Sequence, residues 1–412
     1  MKKHGFLALL WLLLAFTGLT ARAQGTNRPD VKPELLNTNT TLWKQVAPGL
    51  EHLQFARGQK TDKPETGPWF VNILRVDPNR ISFKVIHAMD EGIGLETVSD
   101  MARRYGALAG LNAGFFAING SYRGDSVGAL VTNRKFLSEP YGNRTAVGFV
   151  PKGRATELVF GPLRWNNRMA VTALAPQTPR PVRPEETIIY LSGANRQLGP
   201  NELVIYTPDF HRTTLTTLDP LTYEVVVEKG EVVRYCSDES SVEIPRNGYV
   251  LAAHGTMAEW AQKMLLPGAK LEVALSLEPL YGQQRELWKE AIDIVSGGPR
   301  LVSGGATDVQ PAREQFSYEF SETWHPRTAI GRRADGKILL VTVDGRQPLL
   351  SAGMSLQMLA ELLVSFDATE AMNLDGGGST TMYLLGKVVN SPSDKTGERP
   401  VSDAILLFPR LK

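Results

Sequence analysis

The chain has 412 residues, 42% of them hydrophobic and 21% charged, a composition that suits folded globular material long enough for more than one core-bearing unit and excludes wholesale disorder. Lys and Arg total 45 against 43 Asp and Glu, so the net charge of +2 gives no electrostatic case for nucleic acid or a charged membrane surface, and any anion must be held locally. Cys236 is the only cysteine, which excludes an intramolecular disulfide and a cysteine-rich metal site.

Lys2, Lys3 and His4 precede an apolar run from Phe6 to Phe16 that is too short to span a bilayer, and Ala21-Arg22-Ala23 supplies a small-x-small cleavage site. Residues 1–23 therefore read as a secretory signal peptide. This implies export to a periplasm or beyond, with no stable membrane anchor after cleavage. Residues 24–41 are polar, contain Pro29 and Pro33, and read as a flexible lead-in.

Order is expected from residue 42. Trp43 through Phe55 suits a strand or hairpin, Trp69 to Val76 a buried strand closed by the turn Asp77-Pro78-Asn79, and Ile81 to His87 a strand by alternation. Thr97 to Tyr105 reads as a helix capped at Thr97 or Ser99, delivering the chain into a strand at Ala107 to Leu111. That strand ends in Asn112-Ala113-Gly114-Phe115-Phe116. Asn112 has the donors and acceptor to bind a hydroxyl or phosphate, while Phe115 and Phe116 suit either a sugar face or, as large aromatics more often do, the core. Gly128 to Phe136 and Ala146 to Val150 follow as antiparallel strands, with turns at Asn133-Arg134 and Pro151-Lys152-Gly153.

From about residue 166 to 277 the character changes. Pro176, Pro179, Pro181 and Pro184 mark an extended crossing, and short strands are expected at Leu203 to Thr207, Glu224 to Glu228, Val232 to Tyr235, Gly248 to His254 and Lys270 to Leu277, with a helix at Met257 to Leu265. This stretch reads as an insertion or sub-domain. His254, at a strand edge before Gly255, suits a catalytic or ligand-orienting imidazole or, since it lacks metal-ligand spacing around it, more often a structural one.

Polar loops crowd the C-terminal third. Ser296-Gly297-Gly298-Pro299-Arg300-Leu301-Val302 is followed by a mobile polar stretch to Glu322, and His325-Pro326-Arg327-Thr328 leads into a strand at Ala329 to Gly331. Ile338 to Val343 is an apolar strand ending in Asp344-Gly345-Arg346. Met354 to Phe366 reads as a helix capped by Ser355, with Leu356, Leu359, Leu362 and Leu363 on one face. It delivers the chain to Asn373-Leu374-Asp375, and if the flanking strands are parallel both aspartates reach one sheet edge. Gly376, Gly377 and Gly378 then open a backbone-rich loop beside Ser379 and Thr380, suited to close approach of an anion or simply to a turn between buried strands. The fold class is α+β: largely antiparallel β-sheets, few helices and a C-terminal strand-helix-strand unit.

Five ordered blocks, Leu111 to Phe116, Ser296 to Leu301, His325 to Ala329, Val343 to Arg346 and Asn373 to Thr380, together with Arg399-Pro400-Val401-Ser402-Asp403-Ala404, resemble the phosphodiester glycosidase family. The resemblance runs from about Phe70 to Phe408 and implies that residues 42–412 form a catalytic domain acting on a phosphorylated carbohydrate. No cofactor is expected, and a divalent cation at Asp344 and Asp375 lacks the ligand count to support it. A sugar-1-phosphodiester needs fixed donors for its charge, and the resemblance implies Arg300, Arg327 and Arg346 for that task. Cleavage at the anomeric carbon builds oxocarbenium character that a carboxylate can meet, which implies Asp375 as nucleophile or base and Asp344 as its partner or as the residue holding Arg346. Arg327 joins them as a catalytic residue through the leaving phosphate. Asn112, His325, Ser379 and Thr380 are then expected to orient oxygens of the sugar or phosphate. Gly114, Phe115, Phe116, Gly298, Asn373, Gly376, Gly377 and Gly378 are expected to shape the substrate site. A serine hydrolase lacks its G-x-S-x-G and a zinc hydrolase its H-E-x-x-H. The rival from another class is a non-catalytic envelope module that binds phosphorylated glycan through the same arginines.

Overall fold

The computed structural model describes residues 43–58, 67–172 and 186–410. The signal-peptide and lead-in expectations for 1–41, and the proline-rich crossing at 176–184, lie outside the described residues.

Antiparallel pairing dominates because apolar residues alternate over short runs that tight turns interrupt. The first sheet orders its strands as Lys44–Ala47, Leu50–Arg57, Trp69–Val76, Ile338–Val343, Arg327–Arg333, Ala368–Asn373, Arg300–Ser303 and Ala306–Thr307. A second runs Lys387–Val388, Met382–Leu384, Ala109–Asn112, Asp403–Pro409 and Ile81–His87. A third runs Ser276–Pro279, Ala155–Asn166, Thr145–Lys152, Asp293–Ser296, Leu130–Thr132 and Lys135–Ser138. These three sheets share one core. Leu74, Leu340 and Met372 come from the first, Val85, Leu111 and Ile405 from the second, and Val147, Phe149 and Val295 from the third. Each such side chain, taken fully out of water, contributes about 1.5–3 kcal/mol.

The fourth sheet is built entirely within residues 168–273. Successive residues feed opposite faces, as a pleated strand requires: Val225 and Leu251 join one cluster with the helix Thr256–Met264, while Val226 and Val250 join another with Tyr206 and Phe210. Its pairing of Gly193–Ala194 with Leu203–Tyr206 is parallel, unlike its neighbours.

Local signals account for the helix ends. Thr97 accepts from Asp100 N at the start of the helix Val98–Tyr105, and Gly106 closes it in a left-handed conformation. Ser355 Oγ likewise accepts from Met358 N at 3.2 Å, starting the helix Leu356–Ser365. The strands before and after this second helix, Ile338–Val343 and Ala368–Asn373, both run antiparallel to Arg327–Arg333, which lies between them. They are therefore parallel to each other without touching. The consequence is positional: two strand C-termini and one N-terminus meet at one sheet edge, and Asp344, Asp375 and the His325-Pro326-Arg327 segment all lie there.

Two expectations need correction. The stretch 303–322 is not a mobile tail of the Gly298 loop. Buried Glu314 pins it by accepting from Thr145 N at 2.7 Å and Arg300 N at 2.8 Å, and Ser317 caps a short helix at Tyr318–Glu322. The long strand Ala155–Asn166, absent from the sequence reading, has an alternation interrupted by Gly161 and Pro162, yet it pairs with Thr145–Lys152 from Ala155 through Pro162. Among the described residues, no helix is long and apolar enough to cross a membrane.

Candidate active site

The glycine loop after Ala368–Asn373 is held from both sides by main-chain bonds. Leu374 N donates to Thr328 O and Asp375 N to Ala113 O, each at 2.9 Å, and Gly377 N donates to Pro326 O at 2.9 Å. These bonds join the first sheet to the second at Asp375. Asn112 locks the junction: its Nδ2 donates to Asp375 O at 2.6 Å, while its Oδ1 accepts from Thr328 Oγ1 at 2.9 Å and Thr381 N at 3.1 Å. The side chain is fully buried. Its amide is thus committed to protein groups and fixes Asp375 in place, where the sequence suggested a contact to substrate.

Asp375 is half-buried at the head of the loop, with Oδ1 accepting from Gly376 N at 2.9 Å. Burial pushes its carboxyl up to about 6. The Ser379 hydroxyl, the Gly376 N–H and the Arg399 charge hold it back, and nearby Asp403 adds to the rise. Ser379 Oγ is itself buried without a well-formed hydrogen bond to any protein group. Asp344 is also raised to about 6 by burial, but its oxygens are occupied, accepting from Asn390 Nδ2 at 3.0 Å and Ser391 N at 2.9 Å. Of the two carboxylates, Asp375 is the one that partly reaches solvent.

Two guanidiniums lie against the glycines. Arg346 takes a φ of 59°, unusual for a side chain with a Cβ, and rests over Gly377, where an added Cβ would stand 3.0 Å from its Nη2. Arg399, paired to Asp394 at 2.7 Å, packs with that carboxylate against Gly378 so closely that no Cβ fits. Arg346 is exposed and has no carboxylate partner among the described residues; its Nε donates to His325 Nδ1 at 3.3 Å. Burial, Arg346 and Arg327 together push His325 down to about 4, so its ring is neutral at pH 7 and suited to accept that bond.

The other arginines are spent elsewhere. Arg327 is 1% exposed; its Nε donates to Met354 O at 2.9 Å, and one terminal nitrogen donates to Phe320 O at 2.8 Å and Thr323 O at 2.7 Å. Burial, with Arg346 adding, lowers it to about 9, still a cation at neutral pH. It ties the C-terminal end of the Tyr318–Glu322 helix and the Leu356–Ser365 helix start to the sheet, where the sequence suggested a catalytic phosphate fork. Arg300 ion-pairs with Glu370 and lines a cleft of about 380 Å³ with Tyr281, Trp288 and Arg332. Glu370 stands well before Asp375 on its strand, so Arg300 points along the sheet away from the glycine loop. Asp344 does not hold Arg346, because Asn390 and Ser391 occupy it.

Remaining candidates divide similarly. Asn373 Nδ2 donates to Gly298 O at 2.9 Å, joining the Gly298 loop to the same strand end. Thr380 is buried, within 3.4 Å of Thr328 Oγ1. Gly114 N donates to buried Asp403 Oδ1 at 2.6 Å. Phe116 packs against the cluster of Val98 and Leu406, a core role. Phe115 is half-buried and joins Phe316 and Phe320, with ring centroids 5.7 and 6.1 Å away. Sequence reasoning passed over Arg399 as a site residue although it quoted the Arg399-Pro400 block, and it missed Asn390, Asp394, Phe316 and Arg144. Their signal is weak: each is a single polar or aromatic residue in an irregular segment.

Residues 222–408 match the model for phosphodiester glycosidase. Over that segment the chain carries a phosphodiester glycosidase domain match. The match takes in Arg327, Asp344, Asp375 and Arg399 but leaves Asn112, Phe115 and Arg144 outside it. Over 112 residues the chain is 34% identical to N-acetylglucosamine-1-phosphodiester alpha-N-acetylglucosaminidase of Homo sapiens, covering 25% of this chain and only 21% of that protein. A solved structure from Burkholderia pseudomallei K96243 is similar with a TM-score of 0.70 and 30% identity, over 84% of this chain and 74% of that one. Another from Synechocystis gives 0.72 at 23% identity, over 89% and 63%, and shows likeness of fold. The chain spans about a fifth of the length of the curated human relative it matches.

Proposed function

We propose that this chain hydrolyses the glycosidic bond of a sugar-1-phosphodiester, and that it does so outside the cytoplasm after a leader at residues 1–23 is removed. The observation that carries the reading is Asp375: a carboxyl pushed up to about 6, aimed by Gly376 N, at the head of a loop against which Arg346 and Arg399 lie. At pH 7 most of it is ionised. As nucleophile, or as base toward water, it meets the positive charge that develops at the anomeric carbon as the carbon–oxygen bond to phosphate breaks. The electron pair of that bond leaves with a phosphomonoester whose second pKa is about 6, so stabilising its charge matters more than protonating it. Arg346, with no carboxylate partner among the described residues, supplies that stabilisation. Neutral His325 sets the angle of Arg346, and Asp344 braces the loop through Asn390 and Ser391.

N-acetylglucosamine is the sugar to test first, because the human relative is named for it. Purified protein is incubated with methyl N-acetyl-α-D-glucosaminyl phosphate and release of the free sugar is followed, with D375N as control. Turnover by the wild type and none by D375N is the expected result. A wild type that binds the diester and never releases sugar leaves the glycan-binding module standing and removes the enzyme.

A further inference from the structure

A second guanidinium, just before the strand Thr145–Lys152, is also without a carboxylate partner among the described residues. Arg144 is half-buried and lies over three rings, its Cζ 4.3 Å from the centroid of Phe316, 4.5 Å from Tyr141 and 5.1 Å from Phe115. Its Nε is buried with no hydrogen-bond partner. The acid that feels its charge, Glu314, is no ion-pair partner, since its oxygens accept from Thr145 N, Thr145 Oγ1 and Arg300 N. The rings alone do not match what an oxygen anion offers a planar fork of donors. A charge withdrawn from water with no anionic partner is an open demand.

The position of this cluster ties it to Asp375. Phe115 follows Ala113-Gly114, and Ala113 O takes the Asp375 N–H. Phe316 packs beside Gly298, whose carbonyl takes the Asn373 amide two residues before Asp375. Phe316 and Phe320 stack 4.9 Å apart, and Tyr141 is 50% exposed, so the rings form a rim that solvent reaches.

Resting on the function proposed above, we infer that Arg144 is a specificity-determining contact for the phosphoryl group of the substrate, with the Phe115 and Phe316 rings alongside as a face for the attached sugar. The site thereby selects a charged glycosyl phosphodiester over a neutral glycoside. Of the three arginines expected for the phosphate, Arg346 alone stays free for it among the described residues, and Arg144 joins it where Arg300 and Arg327 are committed to protein groups.

The test is calorimetric titration of methyl N-acetyl-α-D-glucosaminyl phosphate and of the neutral methyl N-acetyl-α-D-glucosaminide, in wild type, R144K and R144Q, each carrying D375N so that the diester is bound and not consumed, with thermal melting to check folding. R144Q is expected to lose about ten- to a hundredfold in affinity for the diester, the span of one charge-assisted hydrogen bond, and almost none for the neutral glycoside. R144K, which keeps the charge without the fork, recovers part of the preference. A ratio of diester to neutral affinity that is the same in wild type and both variants overturns the inference, and should R144Q fail to melt cooperatively the ratio in R144K decides alone. A wild type that turns over the diester beside an R144Q with unchanged preference overturns this inference only. A wild type that binds neither probe overturns the proposed function and this inference together.

Discussion

Replacing Asp375 with asparagine is expected to make the fold more stable while removing activity. The carboxyl rises from its ordinary value of 3.8 to about 6 because the folded chain withdraws it from water. A folded-state pKa above the unfolded one means that the native protein holds a proton the unfolded chain has already lost, so stability falls as pH rises from about 4 to about 6 and the penalty is complete above that. The displacement corresponds to about 3 kcal/mol at neutral pH, an upper figure given that solvent reaches part of the side chain. Asparagine keeps an oxygen for Gly376 N and carries no charge, so D375N recovers most of that energy. In urea denaturation at pH 7 the variant is expected to gain about 2 kcal/mol, with a melting point higher by a few degrees, and the gain is expected to vanish near pH 4. A variant no more stable than wild type at pH 7, or one whose advantage is the same at both pH values, refutes the claim that this carboxylate is held ionised against a desolvation cost.

Asn112→Ala removes the bond to Asp375 O and leaves Thr328 Oγ1 and Thr381 N without their acceptor, so urea denaturation is expected to show a loss of about 2–4 kcal/mol. Gly378→Ala places a Cβ where the Arg399–Asp394 pair lies; kcat is expected to fall at least tenfold while circular dichroism keeps the wild-type spectrum, and unaltered kcat would show the loop tolerates displacement of that pair. Arg346→Met withdraws the exposed guanidinium over Gly377, and steady-state assays are expected to show kcat/KM for the phosphodiester down about ten- to a hundredfold, with little change in melting temperature.

Much of the local structure was legible because its causes are local. Thr97, Ser355 and the alternation of Ile81–His87 act within a few residues, and periodicity finds them. The convergence of Asn112 on Asp375 O spans 263 positions, and only the ordered motifs pointed to it. What each arginine does was not legible. Arg327 and Arg300 sit in polar, glycine-flanked segments much like that of Arg346, yet one is the first residue of a strand whose side chain turns under two helix ends, and the other meets Glu370 across a strand pair. A guanidinium takes the nearest oxygens the fold brings to it, and those oxygens come from distant segments. Arg144 escaped for the converse reason, since its neighbours Phe115 and Phe316 are gathered by the same long-range pairing that builds the loop.

The most direct measurement is the pH dependence of kcat/KM for methyl N-acetyl-α-D-glucosaminyl phosphate, from about pH 4.5 to about pH 8. The account predicts an acid limb that rises through a single ionisation near 6 and then levels, with no measurable limb in D375N because turnover is lost. A rate that is flat down to the lowest pH, or a D375N protein that retains turnover with the same limb, contradicts the role assigned to Asp375.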